Sequence, residues 1–204
     1  MVQVGAINLI PGTMAHCYDI SIDRKRYLID AGMKGSGRKI VEYYKGLNAK
    51  PETVLITHYH PDHIGGLSLI KDAFNPSIYV PDGEIEVVRG RAHMVPAGSF
   101  RSKFISRMVK TTPVEGIMPV SAMEDENVQV IPTPGHTPDS RSYFFPSLNA
   151  MFVGDSAILS KGIMSINKGF TLDYNRAMKS LESIKKMRGT MIYAGHGESY
   201  TAGQ

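Results

Sequence analysis

The sequence is short of several things, and each shortage excludes a class of protein. It has one cysteine, Cys17, and no tryptophan. One thiol closes no intramolecular disulfide, so a small secreted scaffold held by bridges is excluded. Nowhere do apolar residues run for the ~18 positions that suggest a membrane span. The opening residues, Met1-Val2-Gln3-Val4-Gly5-Ala6-Ile7, lack the basic and long apolar regions of a secretory leader. A cytoplasmic protein without a membrane partner is the expectation. Blocks of like charge are missing too. Arg24-Lys25-Arg26 is the densest run and reads as a solvated turn. The 20 glycines follow no triplet period, which excludes a collagen-like chain, and no solenoid-type repeat is visible.

What remains is globular. The 204 residues are 42% hydrophobic and 21% charged, which fits one domain at about 100–200 residues per domain. Residues 1–204 are therefore read as a single domain. A basic stretch at about 83–112, with Arg89, Arg91, Arg101, Lys103, Arg107 and Lys110, is a candidate lid insertion. The net charge of +4 permits an anionic substrate without requiring one.

Strand-like runs occur at 2–9, 17–21, 27–29, 53–56, 77–80, 128–131, 142–145, 150–153 and 191–193. Helical spacing predicts helices over 38–47 (Ile40, Tyr44, Leu47), from about Leu67 (Leu67, Ile70, Phe74) and over 174–187 (Ala177, Leu181, Ile184). The stretch from Gly32 to Gly37 has the glycine spacing of a phosphate loop. Arg38 and Lys39 stand where such a loop needs Lys and then Ser or Thr, so it reads as a turn.

Seven histidines are present: His16, His58, His60, His63, His93, His136 and His196. His16 and His93 have no motif partner and read as structural. The other five cluster at strand ends, beside Asp62 and Asp155. Core packing accounts poorly for them, because unliganded polar groups are costly to bury. Imidazole nitrogen and carboxylate oxygen are donors that zinc, iron and manganese accept. In an extended chain residues i and i+2 point to one side, so His58 and His60 can reach one metal. Asp62 and His63 follow where the chain turns into a helix and can face a second.

In their order, His58-x-His60-x-Asp62-His63, Gly135-His136, Gly154-Asp155 and Gly195-His196 resemble the motif set of the metallo-β-lactamase superfamily, from about residue 7 to 197. The resemblance implies an α+β fold, an αββα sandwich of two mixed β-sheets flanked by helices. It also implies His58, His60 and His136 at a first metal, Asp62, His63 and His196 at a second, and Asp155 bridging both. With all seven positions filled, two divalent metal ions are implied, zinc by default, with iron or manganese as alternatives.

Thr133-Pro134-Gly135-His136-Thr137 is similar to the TPGHT segment of the glyoxalase II-like (hydroxyacylglutathione hydrolase-like) hydrolases. There are two departures. Asp139 stands where that group commonly has glycine. The chain also stops soon after His196, where glyoxalase II continues into a helical extension that helps hold glutathione. The resemblance therefore implies hydrolysis of a thioester, ester or lactone in general rather than glutathione specificity. A hydroxide bridging the metals would attack the carbonyl, and a metal would take the oxyanion. Asp62 is the catalytic candidate, a ligand placed to accept and pass on a proton. Lys161, Lys168 and Tyr174 are the candidate substrate contacts, for a small-molecule ester or thioester. One alternative is an RNA- or phosphodiester-cleaving metallo-nuclease, against which stands the lack of room for an RNA-gripping module. The other is a non-catalytic metal-binding sensor, although such relatives usually lose ligands.

Overall fold

The structure is a computed structural model and describes residues 5–95, 111–198 and 200–202. Backbone contacts divide it into two compact units. The first is built from residues 5–92 and 111–124, the second chiefly from 125 onward.

The first unit carries six strands, β1 (Ala6–Leu9), β2 (Tyr18–Ile22), β3 (Lys25–Ile29), β4 (Thr53–Leu55), β5 (Ser77–Val80) and β6 (Met118–Pro119), ordered as in the chain. β1 to β3 are antiparallel, and β3 to β6 pair in parallel. The switch follows from the connections. β2 and β3 are joined by a tight turn with Asp23 at φ +54, whereas a parallel pair needs a crossover. Between β3 and β4 that crossover is helix α1 (Lys34–Gly46). Helices α2 (Pro61–Ile64) and α3 (Leu67–Phe74) lie between β4 and β5.

Ile40 and Tyr44 of α1 are buried as their spacing predicts, but Leu47 is 48% exposed. The buried face instead runs back to Ser36 and Gly37. A methyl group on Gly37 would meet the Gly66 Cα at 2.8 Å, so α1 sits too close there for a larger residue. That contact moves the buried stripe one turn toward the N-terminus, and the helix starts at Lys34 rather than at residue 38.

The second unit holds β7 (Gln129–Pro132), β8 (Arg141–Phe145), β9 (Ala150–Gly154), β12 (Met191–Ala194) and β13 (Tyr200–Ala202), in the order β13-β12-β9-β8-β7. Only β9 and β12 pair in parallel, joined by a crossover that contains helix α5 (Tyr174–Lys185). A separate hairpin, β10 (Ile158–Ser160) with β11 (Ile163–Ser165), precedes that helix. Ala177, Leu181 and Ile184 of α5 are buried. Leu181 and Ile184 join Met151, Val153, Leu159, Met164 and Ile192 in one apolar cluster.

Most of the candidate lid, including Arg101, Lys103, Arg107 and Lys110, lies outside the described residues. At its flank a short turn, Asp82–Glu84, leads into α4 (Ile85–Val88), after which Arg89 pairs with Glu86 and Arg91 with Glu115 at 2.9 and 2.7 Å. His93 is exposed, not structural: no packing holds its ring in a core. Among the described residues no helix is long and apolar enough to cross a membrane.

Candidate metal centre

One set of candidate ligands is carried by the loop after β4. Pro61 occupies the first position of α2, where its fixed φ suits a helix and its missing N–H is not needed. The chain therefore turns at His60, whose carbonyl accepts from the backbone N–H groups of His63 and Ile64 at 2.9 and 3.1 Å. The turn gathers the side chains. His58 Nε2 and His60 Nδ1 are 3.1 Å apart, and His63 Nε2 lies 3.9 Å from Asp62 Oδ2. The rings of His58 and His63 are 4.1 Å apart between centroids. His58 and His63 are buried, and the Asp62 side chain is 25% exposed.

Behind this loop stands Asp30, which the sequence pattern does not single out. It follows β3 in a left-handed conformation, φ +58, that aspartate tolerates better than most residues. Its Oδ1 accepts the Thr57 N–H at 2.8 Å. Its Oδ2 accepts the Thr57 hydroxyl at 2.8 Å and pairs with His63 Nδ1 at 2.7 Å. Thr57 Oγ1 in turn lies 3.0 Å from His58 Nδ1. Glu84 is equally buried, and its Oε2 accepts the Tyr59 N–H at 2.6 Å, which fixes the backbone between His58 and His60. Cys17 is fully buried, with Sγ 3.6 Å from the Ala15 carbonyl. Burial and the negative charge of Asp30 push its thiol well up, so it is an inert side chain rather than a nucleophile.

The second set lies on three loops of the other unit. Gly135 adopts φ +130, and its N–H donates to the Thr137 carbonyl at 2.9 Å. The carbonyls of Gly135 and His136 accept from Asp173 and Leu172 at 2.9 and 3.1 Å, just ahead of α5. Asp173 caps that helix by accepting the Arg176 N–H at 2.9 Å. The Ser156 hydroxyl donates to the Thr133 carbonyl at 3.0 Å, so the loop of His136 is tied to the residue after Asp155. Asp155 follows Gly154 (φ +51) at the end of β9, and Gly195 N–H donates to the Gly154 carbonyl at 2.8 Å. That bond brings the β12 end, and with it His196, beside Asp155. Asp155 Oδ2 lies 3.5 Å from His136 Nε2 and 3.6 Å from His196 Nε2.

These separations suit shared ligation better than hydrogen bonding. A well-formed N–H···O bond spans about 2.7–3.2 Å. Two donors each bonded at about 2.0–2.1 Å to one tetrahedral ion lie about 3.3–3.4 Å apart. The donor set is imidazole and carboxylate throughout, which fits zinc, iron or manganese.

The remaining candidates fall elsewhere in the second unit. Lys161 is exposed at the β10–β11 turn, where Glu198 accepts the N–H groups of Lys161 and Gly162 at 2.7 and 2.9 Å. Lys168 lies over the ring of Tyr174, 4.8 Å from its centroid, and Tyr174 is 40% exposed. Asp139, the departure from the TPGHT-type pattern, pairs with Arg141 at 2.5 Å.

The family model of the metallo-beta-lactamase superfamily matches residues 10–196, and the chain belongs to that superfamily. It is 28% identical over 185 residues to a probable metallo-hydrolase of Methanocaldococcus jannaschii, covering 87% of this chain and 85% of that protein. It is 33% identical over 147 residues to a hydroxyacylglutathione hydrolase of Hyphomonas neptunium, covering 72% of this chain and 47% of that one. The chain spans about half the length of the hydroxyacylglutathione hydrolases it matches. Among solved structures, one of a protein in a di-iron-bound form aligns with a TM-score of 0.75 at 20% identity, over 97% of this chain and 94% of that one. BLEG-1 B3 metallo-beta-lactamase aligns with a TM-score of 0.70 at 23% identity, over 97% and 93%. The fold is that of the metallo-β-lactamases, α+β with mixed sheets and flanking helices, as the motif resemblance implies.

Proposed function

We propose that the protein is a binuclear metal-dependent hydrolase acting on the carbonyl of a small-molecule thioester, ester or lactone. The observation that carries this reading is the placement of Asp155 Oδ2, nearly equidistant from His136 Nε2 and His196 Nε2 at 3.5 and 3.6 Å. A carboxylate that bridges two ions needs one imidazole of each ion beside it. In the proposed ligand map His58, His60 and His136 would hold one ion, Asp62, His63 and His196 would hold the other, and Asp155 would serve both. When bound, such ions make water nucleophilic at neutral pH and polarise the scissile carbonyl.

The protein's own groups supply the rest. Asp62 is the one partly exposed carboxylate of its set, and its role is to accept the proton of the attacking water and pass it to the leaving group. Asp155 and the imidazoles would supply the charge and the donor atoms that hold the ions. Lys168 stacked on Tyr174, with Lys161 on the neighbouring hairpin, offers cations to an anionic acyl substrate. The likeness to hydroxyacylglutathione hydrolases supports a thioester as the first substrate to try. A single cysteine suits a reducing compartment, and the proposal places the protein in the cytoplasm.

Asp155→Ala tests the map. Turnover is expected to disappear and bound metal to fall, while the circular dichroism of the fold is retained. Wild-type turnover in that variant would contradict the assignment of Asp155.

A further inference from the structure

We propose that Glu198 is a positioning residue for Lys161, and that it thereby sets how strongly the protein prefers acyl thioesters that carry a negative charge. The inference rests on the reading above, in which Lys161 offers a cation to such a substrate.

Lys161 holds a conformation that lysine disfavours. It and Gly162 are the two residues between the paired Ser160 and Ile163, and both have positive φ, +52 and +72. A two-residue hairpin turn of this kind takes asparagine, aspartate or glycine first, because a Cβ crowds the left-handed backbone. Other residues stay left-handed only where their surroundings over-determine them. Burial does not do so here, since Lys161 and Gly162 are both exposed. Glu198 does. Its Oε1 accepts the Lys161 N–H at 2.7 Å, and its Oε2 accepts the Gly162 N–H at 2.9 Å. One carboxylate thus grips two successive N–H groups that point the same way only in this form of the turn.

Glu198 is itself fixed. Its N–H donates to the Leu159 carbonyl at 2.8 Å, and the Leu159 N–H donates to the His196 carbonyl at 3.3 Å. A methyl group on Gly197 would meet the Leu159 carbonyl oxygen at 1.9 Å, so the chain lies too close to β10 for a side chain. Leu159 and Met164 anchor the hairpin in the apolar cluster. The backbone from His196 to Glu198 and the turn at Lys161 are therefore one hydrogen-bonded piece. The direction in which the Lys161 stem leaves the hairpin follows from the turn that Glu198 holds.

Two substitutions separate the grip from the charge. In Glu198→Gln the amide oxygen still accepts one N–H, but the N–H₂ then faces the other donor, so the grip breaks. Lys161→Met removes the ammonium and leaves Glu198 both of its backbone partners. The probes are two lactoyl thioesters of similar size, one of mercaptopropionate, which is anionic, and one of N-acetylcysteamine, which is neutral. Amide hydrogen exchange at Lys161 and Gly162 reads the turn itself.

Glu198→Gln is expected to speed exchange at both amides. It should raise KM for the anionic thioester about three- to fivefold, the scale of one exposed charge contact, with kcat little changed. KM for the neutral thioester should stay near wild type. Lys161→Met should raise the same KM, and the double variant should raise it no further, because Glu198 acts through the lysine. Equal losses on both thioesters would make Glu198 a structural brace and overturn the inference. Unchanged amide exchange, an unchanged KM, or losses that add in the double variant would overturn it too. Wild-type protein that hydrolyses neither thioester would instead sink the reading of the reaction. Amide shifts of Lys161 and Gly162 on titration with methylthiopropionate, an inert anion, would then decide the role of Glu198. Saturation that is weakened in Glu198→Gln and lost in Lys161→Met supports it, and no saturation in wild type overturns it.

Discussion

At Gly135 an added methyl group would lie 2.2 Å from the backbone nitrogen of Ala177 and 2.5 Å from its Cα. The positive φ of +130 and this close approach by α5 together hold the turn that presents His136. Gly135→Ala is therefore expected to cost more than the ~1–3 kcal/mol usual for overpacking, since a helix backbone and not a side chain must give way. A denaturation midpoint equal to wild type would contradict that packing. Cys17→Ser, by contrast, touches no reacting group and is expected to leave turnover intact. The candidate ligands were legible as a set because their residue types are rare in cores and their order is distinctive. Asp30 was not, since an aspartate between a strand and a glycine turn reads as an ordinary strand end. Glu84 gave no signal at all, because a buried carboxylate in a polar turn looks like a solvated one.

Elements with a clean period were readable. Ala177, Leu181 and Ile184 are all buried in α5, as are Leu67 and Ile70 in α3. Leu47 failed because the turn contacts of α1 with Gly66, invisible in its own sequence, decide which face is covered. The β10–β11 hairpin was missed because its strands are only three residues each, too short for alternation to show. α1 also carries a pH dependence. Its Tyr43 and Tyr44 donate to the buried carboxylate of Asp19 at 3.0 and 3.1 Å. Burial, and then the charge of Asp19, push Tyr43 up to about 12 and raise Tyr44 well above its usual range. The unfolded chain gives up these protons from about pH 10 while the folded one keeps them. Stability from this source is thus complete below about pH 10 and declines as pH rises toward 12. Denaturant midpoints taken between about pH 8 and 11 should stay level and then fall. A midpoint that holds level past pH 10 would show that the phenols ionise alike in both states.

For the whole chain, the motifs named a superfamily, and the match over residues 10–196 bears that out. The substrate is less legible, because the side chains proposed to contact it, Lys161, Lys168 and Tyr174, belong to no motif of fixed spacing. The hydroxyacylglutathione hydrolases it matches are about twice as long, so their substrate is a starting point for assay. The most direct test of the central claim is hydrolysis of S-lactoylglutathione by zinc-loaded protein, followed by the thiol released, before and after chelation. Turnover that is lost with the metal and regained at about two ions per chain is the expected result. Hydrolysis that persists at full rate in chelated, metal-free protein would contradict it.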